Sequence, residues 1–166
     1  MQAFLIFLQV VLAMAAFPSP IPLSSLPSLF ASDEDRSPPD PIVESQIRNT
    51  LATYAFAIDS KNFSALSSVF HPDAVANYSE PLNVITGLPE IISTLEASLA
   101  LFAGTQHAYG TQAIRVDSAG KSARAVTYYT AAHFGKGNAE GQVCGSSLIS
   151  FSLFSFHCCF EIQDVS

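Results

Sequence analysis

Two long alternating runs constrain what this chain can fold into. Gln106–Val116 and Ala123–Phe134 alternate between residue classes, and only the six residues Asp117–Ser122, with Asp117-Ser118-Ala119-Gly120 as the turn, separate them. Alternation of period two puts successive side chains on opposite faces of a strand. So short a connection leaves room for an antiparallel hairpin and not for a parallel crossover. On the second run Ala125, Thr127, Tyr129, Ala131 and His133 share one face. That face is small and semi-polar, which suits a ligand cavity, so Thr127 and Tyr129 are candidate ligand-binding residues. Arg124, Val126, Tyr128 and Phe134 share the other. The first run contains His107, inside the glycine-bounded stretch Gly104–Gly110.

Upstream the period changes to that of a helix. Asp40-Pro41 supplies an N-cap and a first-turn proline, and Ile47, Leu51, Tyr54, Ala55 and Ile58 recur on one face. Asp59 closes that helix. A short helix is expected over Phe63–Phe70, with Leu66, Val69 and Phe70 inward. It is stopped by His71-Pro72-Asp73, because proline disfavours helix in the residue before it. Ala74–Tyr78 and Asn83–Thr86 read as short strands. Gly87-Leu88-Pro89-Glu90 opens a third helix, with Ile92, Leu95, Leu99 and Phe102 spaced along it up to Gly104. The fold class is therefore α+β, with helices packed on a curved, mostly antiparallel sheet.

The chain divides into four parts. Residues 1–16 are apolar except for a few positions and end near Ala13-Met14-Ala15, a small-x-small pattern. They read as a secretory signal peptide, too short for a membrane span, so secretion without a stable span after cleavage is expected. Residues 17–39 are rich in proline and serine and read as a linker in extended or polyproline conformation. Residues 40–142 form the domain. From Gly141-Gln142-Val143 onward the composition shifts, and residues 143–166 hold a Ser- and Phe-rich run with almost no charge before Glu161. A retained intron or a shifted reading frame gives such a pattern. The tail is expected to supply one substitute strand and no convincing second one. The sheet would then be incomplete at the C-terminus, its cavity open on that side, and the chain poorly soluble.

Composition removes several function classes. The formal charge of −7 and pI near 4.8 leave no basic stripe, so nucleic acid is not an expected partner, and an anionic membrane surface is disfavoured too. The three cysteines, Cys144, Cys158 and Cys159, are odd in number and argue against a disulfide framework. Glycine-rich phosphate loops and G-x-S-x-G elbows are absent from the sequence. His71 and Asp73 flank a proline and read as a turn rather than a metal pair. Neither cofactor nor metal is expected.

The order of elements resembles the nuclear transport factor 2-like fold and, within it, the SnoaL-like domains. The resemblance covers about Pro41 to Phe134. It is sharpest at Ala57-Ile58-Asp59-Ser60-Lys61-Asn62-Phe63, Val69-Phe70-His71-Pro72-Asp73-Ala74, Thr105-Gln106-His107 and the strand to His133. Its site pattern is most similar to the fungal scytalone dehydratases, which dehydrate a cyclic polyketide-derived compound without cofactor or metal. The resemblance implies that Asp59 hydrogen-bonds a catalytic histidine, that His133 is that histidine, and that His107 is the second. It implies that Tyr78 holds the substrate carbonyl through water, with Ile58 standing where the family has another tyrosine. The later-strand serine and asparagine of that family find no match in the tail. The function implied is a lyase or isomerase acting by His/Asp acid–base chemistry on a small cyclic molecule. A non-catalytic ligand-binding or dimerisation module is the alternative. Homo-oligomers through the exposed sheet face are also implied.

Overall fold

The computed structural model describes residues 23–31, 41–78, 82–117, 122–155 and 159–164. The expected signal peptide, the Asp40 cap and Cys158 lie outside these. A short helical segment comes first, a 3-10 turn over Leu23–Ser25 followed by α1, Leu26–Leu29. Next come α2 (Pro41–Asp59), a 3-10 turn over Phe63–Ser68, β1 (Val75–Asn77), β2 (Val84–Thr86) and α3 (Leu88–Leu99). The chain then runs through β3 (Gly104–Val116), β4 (Ser122–Phe134), β5 (Val143–Ser155) and β6 (Cys159–Asp164).

The apolar stripe of α2 is the one its spacing dictates. Ile47, Leu51, Tyr54, Ala55 and Ile58 are buried, together with Ala57. All of these except Ala55 join Leu66, Phe70, Ala74, Ile85, Ile91, Leu95 and Leu99 in one core over the inner face of the sheet. Each large member contributes about 1.5–3 kcal/mol by leaving water. On α3 the buried stripe is Ile91, Leu95 and Leu99 rather than one centred on Ile92. Gly104 does not end α3 but begins β3. Lys61 adopts a left-handed φ of 56° just past α2, the position where a helix is commonly ended, and turns the chain.

The four long strands pair antiparallel in the order β3-β4-β5-β6, while β1 and β2 form a separate pair with β1 beside β6. The register of β3 against β4 sets the interior. Thr105 faces His133, His107 faces Ala131 and Tyr109 faces Tyr129. After a bulge between Tyr109 and Gln112, Gln112 faces Thr127 and Ile114 faces Ala125. Cross-strand partners share a face, so these pairs line the same concave surface.

Two expectations are corrected here. The tail does not leave the sheet at one substitute strand. β5 pairs with β4 from Phe134–Val143 to Ser122–Ser155, and β6 follows as a second strand. β5 is as long as β4, 13 residues each, so it pairs along the whole of that strand. The linker is also not wholly extended. Leu26 packs on Val126, on the outer face of β4, and Arg115 Nη1 donates to the Leu29 carbonyl at 2.6 Å. An apolar residue on that outer face gives a short Leu-containing turn a place to bury its side chain.

Candidate functional site

The last turn of α2 crosses over the start of β3, and this crossing builds the centre of the site. Asp59 Oδ1 accepts hydrogen bonds from His107 Nδ1 at 2.7 Å and from Thr105 Oγ1 at 2.9 Å. Asp59 Oδ2 accepts from the backbone N–H of His107 at 2.8 Å. An ionised carboxylate only accepts, so it fixes the His107 proton on Nδ1 and leaves Nε2 with its lone pair. The His107 side chain is 9% exposed and that of Asp59 22%, so the pair is shielded yet reachable.

The expected pairing of Asp59 with His133 is therefore corrected: the partner is His107. β3 is the strand against which α2 packs, and His133 lies one strand further, on β4. The ring of His133 stands edge-on to that of His107, with centroids 6.2 Å apart, and packs on Phe102 at 4.7 Å. Burial, and then the neighbouring His107, push the His133 pKa below its ordinary value. A hydrogen bond to the Cys144 backbone and the charge of Asp59 oppose this shift.

Two lysines hold the segment that carries Phe102. Lys61 Nζ donates to the Phe102 carbonyl at 2.5 Å, and Lys136 Nζ donates to the Ala100 carbonyl. Cations suit the exposed carbonyls at the end of a helix.

Tyr129 continues the wall, with ring centroids 5.7 Å from His107 and 5.8 Å from Tyr109. Burial and the nearby Tyr54, Tyr129 and Asp59 raise the Tyr109 pKa, so its phenol stays protonated. Tyr78 lies beyond, with its hydroxyl 3.2 Å from that of Tyr54. The Tyr54 ring is fixed at right angles to Phe70, 5.8 Å between centroids. Ile58, by contrast, is packed into the core at 2% exposure. Thr127 is almost as buried, and its Oγ1 accepts from Gln112 Nε2 at 3.1 Å while Arg48 Nη1 holds Gln112 Oε1 at 3.0 Å. These side chains make a polar floor below Tyr129.

Sequence reasoning expected Asp59, His107, His133, Tyr78 and Tyr129 at the site; the fold brings Asp59, His107, His133 and Tyr129 side by side, while Tyr78 meets Tyr54. The same reasoning missed Tyr54 and Tyr109. Tyr54 was read only as part of the apolar stripe of α2. Tyr109 carries the same parity as His107 on β3, and that was the available signal.

Comparison with known proteins agrees with this architecture. An uncharacterised protein of Mycobacterium tuberculosis and its counterpart in Mycobacterium bovis are 31% identical over 83 residues, which is 50% of this chain. The match spans only 56% of the length of those relatives. A provisionally assigned scytalone dehydratase from Novosphingobium aromaticivorans superposes with a TM-score of 0.63 at 20% identity, covering 75% of this chain and 86% of that one. A nuclear transport factor 2-like superfamily protein from Salmonella enterica superposes at 0.64 with 14% identity, covering 75% and 92%. At such identities these structures speak for the fold. The sequence profile of the SnoaL-like domain matches residues 43–153, from α2 into β5 and over more than half of the chain. The chain belongs to the SnoaL-like domain family, on a nuclear transport factor 2-like fold.

Proposed function

We propose that this protein is a cofactor-independent lyase or isomerase acting on a small cyclic carbonyl compound. The observation that carries the reading is the 2.7 Å contact between Asp59 Oδ1 and His107 Nδ1. A histidine backed by a carboxylate is an oriented base whose cationic form is stabilised once it takes a proton. Roles follow from the geometry and differ from those the resemblance implied. His107 Nε2 removes a proton from the carbon next to the carbonyl. The electron pair forms the new C=C bond, the carbon–oxygen bond to a β-hydroxyl breaks, and the proton returns from His107 to the departing oxygen, giving water. His133 is favoured in its neutral form and serves as the hydrogen-bonding neighbour that orients the substrate.

The test is turnover of a panel of cyclic β-hydroxy ketones by the full chain, followed as enone absorbance. His107→Ala should lower the rate roughly a hundredfold or more. A rate unaffected by that substitution removes the acid–base reading. Absence of turnover together with tight binding of the panel favours a ligand-binding module instead. We further propose secretion after cleavage near residue 16, which N-terminal sequencing of secreted material checks.

A further inference from the structure

The proposed reaction needs a donor for the substrate carbonyl, and the resemblance gives that task to Tyr78. The geometry favours another residue. The hydroxyls of Tyr78 and Tyr54 meet at 3.2 Å, so one of the two phenols spends its proton on the other. Tyr109 differs from both. It stands on the concave face opposite Tyr129, in the same row of alternate β3 positions as Thr105 and His107. The bulge that starts directly after it breaks the regular pairing there. Among the described residues no group hydrogen-bonds the Tyr109 hydroxyl. The residue itself is only partly buried. A phenol that remains protonated among Tyr54, Tyr129 and Asp59, and whose O–H has no partner among the described residues, is a donor awaiting an acceptor.

We propose that Tyr109 is the hydroxyl that binds the ligand, donating to a carbonyl or enolate oxygen, while Tyr54 and Tyr78 buttress each other behind it. This rests on the reading above in one respect, that a cyclic carbonyl compound occupies the concave face. Tyr109 donates without losing its proton, so it acts by placing the carbonyl and by stabilising the negative oxygen that forms when His107 takes the neighbouring proton.

The test uses two probes of one shape, 2-acetonaphthone and 2-isopropenylnaphthalene, in which a CH₂ group replaces the carbonyl oxygen. Their affinities for the full-length wild type, Tyr109→Phe and Tyr78→Phe are measured by calorimetry, and the carbonyl stretch of the bound ketone by infrared spectroscopy. The expected result is that wild type prefers the ketone roughly tenfold, the scale of one hydrogen bond. Tyr109→Phe should abolish that preference while leaving the hydrocarbon affinity unchanged, and should return the stretch towards its frequency in apolar solvent. Tyr78→Phe should keep both. A preference that survives Tyr109→Phe, or disappears in Tyr78→Phe, overturns the assignment while the carbonyl site stands. Equal or undetectable binding of both probes by wild type overturns the carbonyl site as well. The wild-type stretch decides even where a variant fails to fold, because an unlowered frequency excludes a donated hydrogen bond.

Discussion

Asp59 grips His107 twice, through the ring nitrogen at 2.7 Å and through the backbone N–H at 2.8 Å. One carboxylate therefore fixes both the strand and the side chain it carries, and Thr105 adds a third donor. Asp59→Asn keeps the shape but brings its own N–H₂ donors, so one of these contacts must fail. A loss of about 2–3 kcal/mol in unfolding free energy is expected, since a charge-assisted contact goes and a buried donor is left unmet. Chemical denaturation measures it. A change within about 0.5 kcal/mol, the usual size for an exposed substitution, would mean that the carboxylate is not holding the strand.

Acid should weaken the fold through His133. Its pKa is depressed below the ordinary 6.5, so between the folded and unfolded values the unfolded chain binds more protons. The stability from neutral His133 is fully present above the unfolded pKa. It is lost as pH falls through the folded one. Denaturant midpoints from pH 8 to 5 should decline, and His133→Gln should flatten part of that decline. An equal slope in the variant assigns the effect to other groups.

Gly135 follows β4 at a point where the chain folds back on itself. A Cβ there would lie 2.1 Å from the Ala139 carbonyl oxygen and 2.9 Å from its carbon, both backbone atoms with little freedom to yield. Gly135→Ala should cost about 2–4 kcal/mol and disturb the turn behind His133. Thermal unfolding checks this, and an unchanged midpoint contradicts the close approach.

The short helical segment on the outer face should detach without unfolding the domain. Among the described residues it is held by Leu26 on Val126, with Leu29 and Phe30 partly buried beside them, and by the Arg115 bond to the Leu29 carbonyl. Leu26→Ser removes about 2 kcal/mol of burial. Limited proteolysis should then cut within residues 23–31 several-fold faster while the core fragment persists. Unaltered cleavage would show that the contact does not control the segment.

Much of this architecture was legible because it is periodic. The stripe Ile47, Leu51, Tyr54 and Ile58, and the alternation leading to His133, depend on local geometry and survive into the fold. The partner of Asp59 was not legible, because it depends on which strand α2 crosses, and no period in the sequence encodes a crossing. The hydroxyl pair of Tyr54 and Tyr78 was hidden for the same reason, since the two residues come from α2 and the end of β1. The number of strands in the tail was not legible from its composition. Serine and phenylalanine without charge look alien, yet in backbone pairing the tail supplies two strands.

The bulge after Tyr109 works like a change of step in a march. Before it the odd-numbered residues of β3 face the cavity; after it the even-numbered ones do. Straightening the strand with every residue kept would impose the parity of the first half on the second. Gln112, Ile114 and Val116 would then turn outward, and Ala113 and Arg115 would turn in, bringing a guanidinium into the space that Ile114 and Val116 now fill against the core. Any transplant of this hairpin into another sheet must keep the bulge or lose its extra residue, or the half that carries His107 and the half that carries Ile114 will face opposite ways.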